Sequence, residues 1–115
     1  MPFVDIVVLP VPTANKAAWL EHSRRQTPLF KEHDALSVTE CWGEDVPDGK
    51  LTDFRRAVAL QDGETVAVGW ITWPDRAARD AGWEKVMQDA RMMGGEPPWD
   101  GKRMIYAGFE VVLEG

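Results

Sequence analysis

The chain is poor in the residue types that most often announce chemistry. Its 115 residues include one cysteine, one tyrosine and two histidines. A lone Cys41 permits no intrachain disulfide, which suits a reducing compartment. No basic segment leads into a hydrophobic signal core, and Asp5 interrupts the first apolar run. No run approaches the roughly 18–20 apolar residues that cross a bilayer, so a cytoplasmic, non-membrane protein is expected. Basic runs are missing too: Arg24-Arg25, Arg55-Arg56 and Lys102-Arg103 are only pairs, against a formal net charge of -6. That acidic balance repels phosphate backbones and disfavours nucleic acid as a partner. The glycines form neither a dinucleotide fingerprint nor a Walker loop. His22 and His33, eleven residues apart, do not make a metal motif. Neither a cofactor nor a metal is expected.

Tryptophan, in contrast, is abundant. Six occur, at 19, 42, 70, 73, 83 and 99. In a small acidic chain such a supply lines a core, an interface or an organic-ligand pocket.

The punctuation of the chain predicts four strands and two long helices within one domain, 1–115. Residues 3–11 are nearly continuously apolar, as in a strand covered on both faces. Pro10 and Pro12 should stop that strand, and Thr13 can cap a helix to about His33. Its inner face would carry Ala17, Leu20, Thr27 and Phe30, with a kink from Pro28 near Arg24. Residues 35–43 alternate as a second strand. A turn follows at 45–49, and Asp53 can cap a short helix through Val58. Glu64–Trp73 reads as a central strand. Pro74 suits the first position of a helix to about Met92, with Arg79, Trp83, Val86, Met87 and Ala90 inward and an Arg76/Asp80 surface pair. Gly94-Gly95, Pro97-Pro98 and Asp100-Gly101 mark a loop. Residues 103–114 close the chain with clean alternation: Phe109 is assigned to the helix side, Tyr106 and Val112 to the opposite side. The order is β-α-β-β-α-β, the ferredoxin-like pattern of the α+β class, with helices on one sheet face. The other face carries too many apolar residues for water, so two sheets are expected to pair in a homodimer of the dimeric α/β-barrel kind.

Six stretches together resemble the bacterial YbaA-like family: 31–35 (KEHDA), 43–50 (GEDVPDGK), 53–58 (DFRRAV), 76–80 (RAARD), 85–89 (KVMQD) and 100–105 (DGKRMI). The resemblance spans nearly the whole chain. It implies a ferredoxin-like monomer, a dimeric α/β barrel and no established activity. Where the family pattern has Gly before the alanine of the first stretch, this chain has Asp34, which can also occupy a left-handed turn position at some cost.

Candidate ligand-binding residues are His33, Trp42, Trp70, Arg103, Tyr106 and Phe109. The aromatic residues among them would line a cleft between sheet and helices, and His33 or Arg103 would orient a polar group. His33, between Glu32 and Asp34, is the best single proton-transfer candidate; its plainer role is to meet carbonyls at a helix end. Cys41 has no local basic group to activate it and reads as a small strand residue. Glu44, Asp45 and Asp48 lack the spacing of a calcium loop. Arg103 either meets a ligand anion or makes structural salt bridges. Whether the chain is an enzyme stays open. Three readings are expected: a dimer that binds a small aromatic or metabolite ligand without established catalysis; by analogy with the architecture, a cofactor-free oxygenase or isomerase-like enzyme; or a noncatalytic interaction or structural dimer.

Overall fold

A computed structural model describes residues 1–92 and 95–115; Met93 and Gly94, where the loop before the last strand was expected to begin, lie outside the described residues. Four strands form one antiparallel sheet: β1 (Phe3–Pro12), β2 (Ser37–Trp42), β3 (Glu64–Trp73) and β4 (Ile105–Glu110), in the order β2-β3-β1-β4. Helices α1 (Lys16–Glu32) and α3 (Arg76–Gln88) pack on one face, and a single turn, α2 (Phe54–Ala57), lies in the β2–β3 connection. This is the ferredoxin-like α+β arrangement that the element order implied.

The prolines of β1 do not end it. Pro10 pairs with Val66 on β3, whereas pairing with β4 stops at Val8, opposite Ile105. The β4 side of the strand is already unpaired at Pro10, so the missing donor costs no ladder bond there. Helix α1 likewise runs through Pro28 as one element. One turn back, the Thr27 hydroxyl donates to the Ser23 carbonyl at 2.8 Å. Its buried residues are Trp19, Leu29 and Phe30. Trp19 thus sits in the core, while Ala17 faces solvent.

Short acidic caps set the other helix starts. The Asp53 carboxylate accepts from the Arg56 amide at 2.7 Å, and the Asp75 carboxylate from the Ala78 amide at 2.8 Å. The second cap moves the start of α3 beyond Pro74. The Arg76–Asp80 pair forms, at 3.7 Å. Helix α3 ends at Gln88, and a 3₁₀ turn carries the chain over Ala90–Met92. Gly82 lets α3 lie on the sheet, since a Cβ there would meet the Trp73 ring at 2.3 Å. Asp34 holds the expected left-handed conformation, φ 78°.

Register assigns each strand residue to a face. Phe3, Asp5, Val7 and Leu9 of β1 pair with Trp73, Ile71, Gly69 and Ala67 of β3, and this face meets the helices. Val38, Glu40 and Trp42 of β2 join it through the same partners. On β4 the residues of this face are Tyr106, Gly108 and Glu110, opposite Val7, Asp5 and Phe3. Phe109 pairs with Val4 and therefore lies on the face away from the helices. The assignment of Phe109 to the helix side and Tyr106 to the other is thus reversed. Val112 lies past the end of β4 and is exposed. The more apolar set of β4, Ile105, Ala107 and Phe109, faces away from the helices, so alternation alone points the wrong way and pairing with β1 fixes the orientation.

The face away from the helices is only partly covered. Val58, Val46 and Leu60 from the β2–β3 connection pack on Val8, Val66 and Val68 at one end. Beyond them, Trp70 is 37% exposed, Ile105 44% and Phe109 50%. Val4, Ile6, Thr39 and Ala107 share this open face by register.

Candidate functional site

Between the helices and the sheet lies a cleft of about 770 Å³. Its floor is Asp5, Val7 and Leu9 of β1, Val38 and Glu40 of β2, and Gly69 and Ile71 of β3. Helix α1 contributes Trp19, His22, Ser23 and Phe30; helix α3 contributes Arg79, Trp83 and Met87. Trp99, Met104 and Tyr106 close the side toward β4. A cavity of this size, mostly apolar with a few converging polar groups, is the common form of a small-molecule site.

One end of the cleft is rigidly organised by Asp5. This acid is 6% exposed and sits among apolar strand residues. It accepts from the indole nitrogens of Trp73 at 3.0 Å and Trp83 at 2.8 Å. Arg79 forks onto the same carboxylate, Nη2 at 2.7 Å and Nε at 3.0 Å. Such charge-assisted, two-pronged pairing fixes both geometry and charge. Arg79 also donates to Asp80 at 2.9 Å and lies 5.1 Å from the Phe3 ring centroid. These acids, chiefly Asp5, raise the Arg79 pKa. Helix α3 is thereby fixed to β1, with the Trp83 indole held edge-on to Phe30, ring centroids 5.0 Å apart.

The other end differs. Glu40 points inward between Val38 and Trp42, folded over β3 at the one place where β3 has no side chain. A Cβ on Gly69 would meet its carboxylate oxygen at 2.7 Å. Burial raises the Glu40 pKa, and the neighbouring Ser23 side chain only partly opposes it. Among the described residues, no cation pairs with it. Nearby, His22 stacks edge-on to Trp99 at 4.9 Å. Burial, aided by Arg25, lowers its pKa, favouring the neutral imidazole. Trp19 packs on Trp42 at 5.1 Å, and the Lys16 ammonium lies 5.3 Å from the Trp42 ring.

Glu40 predicts an unusual pH response. Between the ordinary glutamate value of 4.5 and its raised folded value, the folded chain keeps a proton that the unfolded chain has lost. Stability contributed by this group therefore falls as pH rises through that window. Glu40→Gln should be more stable than wild type at neutral pH by a few degrees in Tm, with the advantage vanishing near pH 4.5. Paired thermal melts across that range check it.

The residues selected from sequence do not converge. Tyr106 lines the cleft, at its solvent-exposed edge. Trp70 borders it beside Gly69, but register turns its side chain to the open face. Phe109 lies on that open face, and Trp42, partly buried, packs against Trp19. His33 ends α1, its amide donating to the Phe30 carbonyl at 3.1 Å. Arg103 makes a two-pronged pair with Glu64, both bonds 2.7 Å, and a further bond to Asp100 at 3.0 Å. It clamps the start of β4 to the start of β3 and lowers the Glu64 pKa. Asp5, Glu40, Gly69, Arg79 and Trp83 are the cleft residues that the choice of candidates missed. Their signal was an acid at an inward-facing position of an apolar strand, twice. Among the described residues no group of three or more potential ligands could hold a metal ion, and no helix is long and apolar enough to cross a membrane.

Known proteins place this geometry in context. A solved dimeric ferredoxin-like protein from an uncultured marine organism superposes with a TM-score of 0.64 at 9% identity, covering 99% of this chain and 98% of its own. That likeness establishes the fold. The uncharacterised protein YbaA of Escherichia coli K12 is 48% identical over 116 residues, covering 99% of both chains, and its Shigella flexneri counterpart matches equally. The family model described as a protein of unknown function, DUF1428, matches residues 2–101, and the chain belongs to that family.

Proposed function

We propose that this chain is a homodimeric small-molecule-binding protein whose ligand sits in the cleft between helices and sheet. The observation that carries the reading is the cleft itself. It offers about 770 Å³ walled by Trp19, Phe30, Trp83, Trp99 and Tyr106, with Glu40, Ser23 and His22 as polar groups. Aromatic walls give an organic ligand large contact area, and the few polar groups select among ligands.

Dimerisation uses the other face. The exposed strip of Trp70, Ile105 and Phe109, with Ile6 and Val4, is apolar surface on a sheet with no helix above it. Burying it is worth about 25 cal/mol per Å² of apolar area before the costs of association. The solved protein of the same fold is dimeric, which supports a dimer here. Division of labour follows: one sheet face assembles, the other binds. His33, the candidate both for orienting a ligand and for proton transfer, lies outside the cleft-lining set. The cleft supports binding, and this reading assigns no catalysis to it.

Titration with a panel of small aromatic compounds tests this. A cleft ligand should quench tryptophan emission saturably and raise Tm together. A panel spanning cationic, neutral and anionic aromatics that does neither would remove the binding reading.

A further inference from the structure

Resting on that reading of the cleft, we infer that its ligand is an organic ammonium ion, with the Glu40 carboxylate as counter-ion and the surrounding aromatic rings as its π-surface. The charges in the cleft do not balance. Among the described residues Arg79 is the one lining guanidinium, and it is engaged by Asp5 and Asp80. The groups that face the cleft from each packed element are His22 from α1, Asp5 from β1, Arg79 and Asp80 from α3, and Tyr106 from β4. His22 is held toward its neutral form. Lys16 stands over the outer Trp42 ring. Among the described residues Glu40 is left as the carboxylate without a cation.

An anionic ligand would meet Glu40 and Asp80 as like charges. A neutral one would leave the partly buried Glu40 biased toward its protonated form and forgo the charge-assisted bond that an ammonium makes. A primary or substituted ammonium satisfies the carboxylate and finds ring faces around it, which is the pairing that aromatic walls favour. Gly69 is part of the device. Only a residue without a side chain leaves the Glu40 carboxylate folded over β3, aimed up into the cleft rather than out along the sheet edge.

Burial and binding are then coupled. Empty, the cleft favours the protonated acid; an ammonium ligand favours the carboxylate and expels the proton. Affinity for an amine should therefore rise with pH through the folded Glu40 value, while the amine itself, with a pKa of about 10, stays charged. His22 gains charge only at the acidic end and acts in the same sense, so the comparison with Glu40→Gln, which retains His22, isolates Glu40.

The test uses three probes of one shape: 2-phenylethylamine, 2-phenylethanol and phenylacetate. Each is titrated by calorimetry against the wild-type protein, Glu40→Gln and Gly69→Ala, from about pH 5 to about pH 8. The amine should bind at least about tenfold tighter than the alcohol, the carboxylate weakest. Glu40→Gln should remove the preference and the pH slope. Gly69→Ala keeps the charge but displaces the carboxylate, and should weaken the amine alone; far-UV circular dichroism confirms that both variants fold. Equal binding of alcohol and amine, or a preference that survives Glu40→Gln, overturns the ammonium inference while leaving the cleft a binding site. Binding of none of the three overturns the inference; failure of the wider aromatic panel as well removes the binding reading with it.

Discussion

Asp5→Ala should be among the most destabilising single substitutions in this protein. It removes one carboxylate and orphans three donors at once: the Trp73 and Trp83 indoles and the Arg79 guanidinium. Removing one partner of a buried ion pair typically costs about 3–5 kcal/mol, because the other charge is left desolvated. The Arg79 side chain keeps 24% exposure, which lets water recover part of that cost, so the lower end, about 3 kcal/mol, is expected. Against a total stability of roughly 5–15 kcal/mol this is a large fraction. Urea unfolding gives the number. The diagnostic variant is Asp5→Ala with Arg79→Met, which removes both charges. It should be more stable than Asp5→Ala alone. A double variant less stable than the single would mean that Arg79 stabilises the fold independently of Asp5.

The second large effect concerns assembly. Trp70 lies on the open face between Ile6 of β1 and Thr39 of β2, in the interior of the sheet. A carboxylate there would be buried without a partner in any face-to-face dimer, while in the free monomer it stays partly in water. Trp70→Asp should therefore weaken the dimer by about a hundredfold or more, about 2.7 kcal/mol, with the helix and strand content retained. Sedimentation across a concentration series, with circular dichroism on the same samples, measures both. Tyr106→Asp is the control. Its side chain is on the helix face, and dimerisation should not change. Dimers that survive Trp70→Asp but not Tyr106→Asp would place the interface on the wrong side of the sheet.

The contrast between those two substitutions shows what was legible in the sequence. Element order was readable because β1 and β3 are nearly unbroken apolar runs, and because Pro, Gly and Asp mark the turns between them. Facing was not readable for β4. Ile105, Ala107 and Phe109 form the apolar side and Tyr106, Gly108 and Glu110 the polar one, which suggests the apolar side meets the helices; pairing with β1 turns it the other way. The site was legible in its parts and not in its assembly. Asp5 was visible as an interruption in an apolar strand. Its meaning required Arg79 and two indoles from β3 and α3, some seventy residues distant. Glu40 sat in plain alternation with Val38 and Trp42, an acid at an inward position. That pattern could have flagged it as an unusual buried group, but the absent side chain of Gly69 that makes room for it belongs to another strand. His33 and Arg103 drew attention as polar residues at element ends. Such positions more often cap and clamp, and both do so here: His33 at the end of α1, Arg103 on Glu64 and Asp100.

Helix packing also overrode local preference. Pro28 disfavours a helix interior, yet α1 passes through it, as expected from the sequence, with Leu29 and Phe30 buried immediately after. Burying those two side chains is worth several kcal/mol, comparable to the roughly 3 kcal/mol that a proline costs inside a helix.

The two sheet faces are claimed to do different work, and the six tryptophans allow both to be observed in one spectrum. Each indole N–H gives its own proton–nitrogen resonance, assignable by single Trp→Phe substitutions. Titrating 2-phenylethylamine into the dimer should shift the indole signals of the cleft residues Trp19, Trp83 and Trp99 in a saturable way, and leave that of Trp70 in place. Diluting the unliganded protein through its dissociation range should do the reverse, moving Trp70 alone. Ligand-induced shifts centred on Trp70, with Trp83 and Trp99 unmoved, would contradict the assignment of binding to the helix face and assembly to the open one.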